Sequence, residues 1–138
     1  MNVTSGTEVI GAQISGVDLS KNPEAQLVNE IDGLLETYGV LVFRKQRFTP
    51  EQQVEFTAAF GPLARSPRMD GRVNGQPDVF AVGNTNGQRI LFCPEEPDGE
   101  LEWHTDQIHR KVPSRATLLY ALIIPPQGGD TLFACTYS

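Results

Sequence analysis

Leu101-Glu102-Trp103-His104-Thr105-Asp106-Gln107 is the stretch on which the reading of this chain turns. In an extended strand successive side chains alternate between faces, so His104 and Asp106 point one way and Thr105 the other. A neutral imidazole and a carboxylate on one face are two thirds of the two-histidine, one-carboxylate arrangement with which non-haem Fe(II) enzymes leave metal positions open. The only other histidine is His109. It falls on the opposite face if the strand continues and stands beside Arg110-Lys111, which suits a solvated residue better than a third ligand. A His-x-Asp triplet is also a common surface turn, so its meaning has to come from the sequence around it.

Downstream, Thr117 to Ile124 reads as a strand. Pro125-Pro126-Gln127-Gly128-Gly129-Asp130 reads as a tight connection, and Thr131 to Ala134 as the start of another strand. Two adjacent glycines free the backbone for positive φ, the ordinary reason for such a pair in a turn. Upstream, Cys93 to Gly99 holds two prolines and three acids and reads as a surface loop. Ile90 to Phe92 and Val79 to Val82 read as strands, and the polar stretch from Ala64 to Pro77 as a loop. Thr49-Pro50-Glu51-Gln52 is a strong helix start, with a capping threonine, a first-turn proline and a glutamine three residues after the cap. That helix carries Val54 and Phe60 and stops at Gly61-Pro62.

An earlier helix is announced by Leu27, Ile31, Leu34, Leu35 and Tyr38, an apolar stripe at helical period. Ser20 or Asn22 is its expected cap, Pro23 lies near its first turn, and Gly39 is its C-terminal stop. Val40-Leu41-Val42-Phe43 then reads as a strand buried on both faces. Glu8 to Leu19 reads as one or two short strands with turns at Gly11 and Gly16. Helices come early and short strands cluster late. The expectation is an α+β fold, with helices packed on an antiparallel β core of jelly-roll or cupin type.

Composition narrows the function classes. The chain has 138 residues, one domain's worth, with 39% hydrophobic and 20% charged residues, enough for a core and too mixed for disorder. A net charge of −6 gives no basic face for nucleic acid. The N-terminus shows neither a basic nor an apolar leader segment, and the longest apolar run, Leu118 to Ile124, is too short to span a bilayer. Cys93 and Cys135 form no Cys-x-x-Cys pair and read as reduced thiols, which with the rest suggests a cytoplasmic protein.

Several segments in a fixed order resemble one family. Leu101 to Asp106, Leu119-Tyr120-Ala121-Leu122 ahead of Pro125-Pro126, and Gly128-Gly129-Asp130-Thr131-Leu132-Phe133 are similar to the taurine-catabolism dioxygenases, the TauD/TfdA family. So are Gly11 to Leu19, Gly39 to Phe43, Thr49 to Gln52 and Phe60-Gly61-Pro62-Leu63, and the resemblance covers nearly the whole chain. It implies a double-stranded β-helix, or jelly roll, buttressed by helices. It also implies Fe(II) and 2-oxoglutarate as cofactors, a small-molecule substrate and O2. The implied reaction is decarboxylation of 2-oxoglutarate to succinate and CO2, coupled to hydroxylation of a substrate C–H. Residue by residue, His104 and Asp106 match two metal ligands, and Thr131 matches the hydroxyl that contacts a 2-oxoglutarate carboxylate. Asp106 also argues against a halogenating relative, which needs that position vacated for halide.

The family's second histidine and its 2-oxoglutarate-binding arginine belong to a C-terminal half. Residues 1–138 are therefore expected to form the N-terminal portion of a single oxygenase domain, incomplete at its C-terminus and inactive alone. Sulfonate-specific members carry a histidine and a tyrosine shortly after the Phe-Gly segment. Ser66 and Met69 stand at those places, which argues against taurine itself. Arg65 and Arg68 are candidates to meet an anionic substrate, with solvated loop arginines as the alternative, and Asn84 is a candidate near the pocket or a turn asparagine. Two other readings stay open: a degenerate, non-catalytic half-domain, and a metal cupin of other chemistry, which would normally carry more than two histidines. A homo-oligomer is compatible with all three.

Overall fold

The computed structural model describes residues 1–5, 10–64, 72–73, 76–82 and 102–136. They fall into two compact units, Met1–Pro62 with Tyr120–Ser138, and Leu63–Leu119.

The first unit is organised on a three-stranded sheet in the order β1-β2-β3, with β1 at Asn2–Ser5, β2 at Ala12–Ser15 and β3 at Leu41–Phe43. β2 is central. It pairs antiparallel with β1, Val3 opposite Ile14, and parallel with β3, Ala12 opposite Leu41 and Ile14 opposite Phe43. A parallel pair needs a crossover, and α1 at Ala25–Tyr38 supplies it. The alternation of β2 is decisive: Ala12 and Ile14 are buried, Gln13 and Ser15 exposed. Gly11 and Gly16 bracket it at φ 102° and 77°, the two turns expected from the sequence.

The stripe on α1 works as its spacing predicts. Ile31 is buried, and Leu27, Leu34, Leu35 and Tyr38 are half-buried. Gly39 closes the helix at φ 67°, donating its N–H to the Leu35 carbonyl at 2.8 Å. Two bonds at that exit, Gly11 N–H to Tyr38 O and Ala12 N–H to Val40 O, fasten it to the start of β2. The N-terminus differs from expectation. Its cap position is Glu24, with no side-chain capping bond. Ser20 lies four residues ahead of that cap, where its hydroxyl donates to Asp18 Oδ1 at 2.6 Å and its N–H donates to the same oxygen. Those two bonds, with Lys21 nearby, hold the Asp18 carboxyl below its ordinary range.

Among the described residues β3 is an edge of this sheet, not a strand covered on both sides. Val42 is exposed between half-buried Leu41 and Phe43. β1 is the other edge. The sequence reading passed over it because Val3 is its only apolar residue, so its pairing with β2, not its pattern, makes it a strand.

α2, at Pro50–Ala58, begins as the sequence predicts. The Thr49 hydroxyl accepts from Gln52 N–H, and Gln52 Oε1 accepts from Thr49 N–H at 2.8 Å, a reciprocal capping box. Its buried anchor is Phe56, while Phe60 is half-buried just past the helix end. Phe56 meets Phe60 at a centroid distance of 5.3 Å and Phe48 at 6.2 Å, and Tyr120 stands edge-on to Phe48 at 5.2 Å. The Tyr120 hydroxyl accepts from Phe48 N–H at 3.3 Å, so it serves as anchor and polar handle together. Gln46 ties the remaining loop: its Oε1 accepts from Leu19 N–H, and its Nε2 donates to the Val17 and Arg44 carbonyls.

The second unit contains a hairpin of β4 at Arg72–Val73 and β5 at Gln76–Phe80, with an irregular register at Arg72/Val73. The strand read at Val79 to Val82 thus starts and ends earlier, and the loop read from Ala64 to Pro77 contains β4.

Three expected strands are not formed. Residues 102–106, 117–124 and 131–134 are irregular. A strand exists by ladder hydrogen bonds to a neighbour, and among the described residues none pairs with these segments. Most of their apolar side chains stay in solvent, Leu122 at 75% and Leu132 at 71% exposure, while Leu118 and Tyr120 are half-buried. The described architecture is therefore mixed α/β, and a complete jelly roll is not formed by it. The strand read at Ile90 to Phe92 lies outside the described residues. No described helix is long and apolar enough to cross a membrane.

Candidate metal centre

Among the described residues no ladder aligns the segment after residue 101, yet His104 and Asp106 still converge. His104 Nε2 lies 3.5 Å from Asp106 Oδ1. The expected strand would have placed both on one face; here a bend at Trp103 and a turn over Asp106–His109 do so instead. The turn is closed by bonds from Ile108 N–H to Thr105 O and Arg110 N–H to Gln107 O.

Each of the two side chains is held by its other polar atom. His104 Nδ1 is 2.7 Å from the Glu102 carbonyl oxygen. A carbonyl only accepts, so Nδ1 carries a proton, and in the neutral ring Nε2 is the nitrogen left with a lone pair for an ion. Asp106 Oδ2 accepts from the Thr117 hydroxyl at 2.6 Å, a short charge-assisted bond, leaving Oδ1 toward His104. One nitrogen and one oxygen lone pair thus face a common space, both side chains about half exposed. Two ligands about 2.0–2.2 Å from a first-row ion sit about 3–3.5 Å apart when their bonds are near-perpendicular or somewhat wider. The observed pair fits two positions of such an ion. Among the described residues no third His, Cys, Asp or Glu completes a group of three. His109 is exposed and does not join the pair among the described residues.

Two neighbours were not singled out from the sequence. Thr117 was read only as part of a strand, and no periodicity links a threonine to an aspartate eleven residues earlier. Gln107, next to Asp106, has φ 55° and a buried Oε1 without a hydrogen-bond partner. Left-handed backbone at a non-glycine residue and an unsatisfied buried oxygen each cost about 1–3 kcal/mol, and such costs concentrate at functional sites.

Thr131 belongs to the other unit, where it is exposed and irregular. The turn before it is built as the glycine pair predicts, with Gly128 and Gly129 both at φ 73°. A Cβ on Gly129 would stand 2.9 Å from Pro125 Cγ, so the close approach of that proline requires glycine there. Arg65, Arg68 and Asn84 lie outside the described residues, as do Ser66, Met69 and Cys93; Cys135 is a free, half-buried thiol.

Comparison with known proteins bears on the meaning of this pair. The 2,4-dichlorophenoxyacetate dioxygenase of Cupriavidus pinatubonensis, an alpha-ketoglutarate-dependent enzyme, is 30% identical over 91% of this chain and 46% of its own length. The alpha-ketoglutarate-dependent sulfate ester dioxygenase of Pseudomonas putida is 30% identical over 92% of the chain and 39% of its own length. The chain thus spans less than half of either relative. A crystal structure of a taurine dioxygenase from Burkholderia xenovorans superposes with a TM-score of 0.52 at 38% identity, covering 57% of this chain and 28% of that one. The family model described as taurine catabolism dioxygenase TauD, TfdA family matches residues 2–138, and the chain belongs to that family.

Proposed function

We propose that this chain supplies two metal ligands and a cosubstrate contact to an Fe(II)- and 2-oxoglutarate-dependent dioxygenase that hydroxylates a small organic molecule. The observation that carries the reading is the paired presentation of His104 Nε2 and Asp106 Oδ1, each freed by a hydrogen bond on its other polar atom. When bound, Fe(II) with 2-oxoglutarate supplies the oxidising chemistry with O2. His104 donates a neutral nitrogen and Asp106 a single negative charge, which leaves most of the ion's positions to other groups. Thr131 is assigned the cosubstrate carboxylate, supported by its place in the Gly-Gly-Asp-Thr segment. Arg65, Arg68 and Asn84 are assigned to the substrate side on sequence alone. Residues 1–138 are then the N-terminal portion of one oxygenase domain, and the relatives, whose names cite a phenoxyacetate and a sulfate ester, leave the substrate open.

With two ligands and no arginine assigned to the distal carboxylate, the chain by itself should give no metal-dependent succinate from 2-oxoglutarate. A chimaera in which residues 1–138 replace the matched portion of a family relative should give Fe(II)-dependent succinate and lose it on His104→Ala or Asp106→Ala. A folded chimaera that keeps full activity after either substitution overturns the assignment.

A further inference from the structure

The hydrogen bond between Thr117 and Asp106 has a consequence for how the carboxylate can bind an ion. A free aspartate turns about its Cβ–Cγ bond and can present either oxygen or both. Here Oδ2 is taken by the Thr117 hydroxyl at 2.6 Å, within the range of an O–H···O⁻ bond, and Oδ1 is the oxygen 3.5 Å from His104 Nε2. The bond spans the loop from Asp106 to Thr117, so one hydroxyl both closes that loop and orients the carboxylate. Partners of this kind set the orientation and basicity of a metal ligand without touching the metal.

Resting on the metal reading proposed above, we infer that Thr117 is a positioning residue that keeps Asp106 a one-oxygen ligand with Oδ1 turned toward His104. Its hydroxyl matters through its proton, not its bulk. Thr117→Val keeps the branched shape and loses the donor; Thr117→Ser keeps the donor. Thr117 is itself exposed, so neither change removes core packing.

The experiment is a Mn(II) titration of the 138-residue chain, read as selective paramagnetic broadening of the His104 ring protons, with exposed His109 as internal reference. Broadening reports low occupancy, so weak binding by two ligands suffices. Thr117→Val should weaken Mn(II) affinity about 10- to 100-fold, the usual cost of losing such a partner, and Thr117→Ser should restore it. Asp106→Ala tests the metal reading separately, and should bring His104 broadening down to the level of His109. Wild-type affinity in Thr117→Val, or equal losses in the valine and serine variants, overturns the role of the hydroxyl while leaving the metal site standing. Equal broadening of both histidines in the wild type, or unchanged His104 broadening in Asp106→Ala, overturns the metal site and this inference with it.

Discussion

The sheet-and-helix unit and the stretch from Glu102 to Leu119 hold their residues in place by different means. In the first, position comes from burial and backbone ladders. Ile14 and Leu19 are fully enclosed, Phe56 anchors an aromatic cluster, and the C-terminal exit of α1 is tied to the start of β2 by backbone bonds. In the second, His104, Asp106 and Thr117 are all exposed, and position comes from three short polar contacts along one loop. The difference teaches that a candidate centre can be arranged without a core beneath it, provided each ligand's second polar atom has a partner. It also separates what should happen when each region is damaged.

The largest effect is expected in the packed unit. Phe56→Ala should cost about 3–5 kcal/mol, because it removes an aromatic ring that cannot be replaced by collapse around it. Asp106→Ala should change stability by less than about 0.5 kcal/mol, as an exposed residue outside the core does, while Mn(II) binding is lost. Denaturant unfolding followed by circular dichroism, run beside the metal titration, checks both. Comparable destabilisation by the two substitutions would break the comparison.

A smaller effect belongs to Gln46. Its amide serves the N–H of buried Leu19 and the carbonyls of Val17 and Arg44. Gln46→Leu keeps the length and leaves backbone groups unserved, at a cost of about 1–3 kcal/mol in the same unfolding measurement. A neutral result would show that water replaces the amide there.

The smallest concerns the Asp18 turn. Its folded carboxyl titrates below its ordinary range because Ser20 donates to the charged form. The sign follows: the contribution is present above the ordinary carboxylate range and is lost as pH falls through the folded value. Ser20→Ala should move the Asp18 titration, followed by NMR of the carboxyl carbon, upward toward its ordinary value. An unmoved titration would assign the shift to the backbone N–H of residue 20, which the substitution keeps, with Lys21.

Much of the packed unit was legible because its signals are local. The Thr49-Pro50-Gln52 start, the stripe from Leu27 to Tyr38 and the Gly39 stop each concern residues within a few positions of one another, where helix geometry alone decides who meets whom. Phe56 was passed over in favour of Phe60 by placing the end of α2 two residues late. Neither Ser20 nor Asn22 is the cap, because the first turn of the helix starts later, at Ala25 after Glu24. The loop site was half legible. The i, i+2 spacing did bring His104 and Asp106 together, although through a bend and not the expected strand.

By itself the sequence determined the two helices, the turns at Gly11, Gly16 and Gly128-Gly129, the pairing of His104 with Asp106, and membership of the family through an ordered set of motifs. All of these rest on contacts between near neighbours or on segment order. Tertiary structure alone decided that Asn2–Ser5 is a strand, that β3 is an edge, and that Thr117 holds Asp106. Among the described residues it likewise gave Glu102 to Asp106 no ladder. A strand is made by its partner's hydrogen bonds, and a side chain eleven residues away is brought into reach only when the loop between them closes.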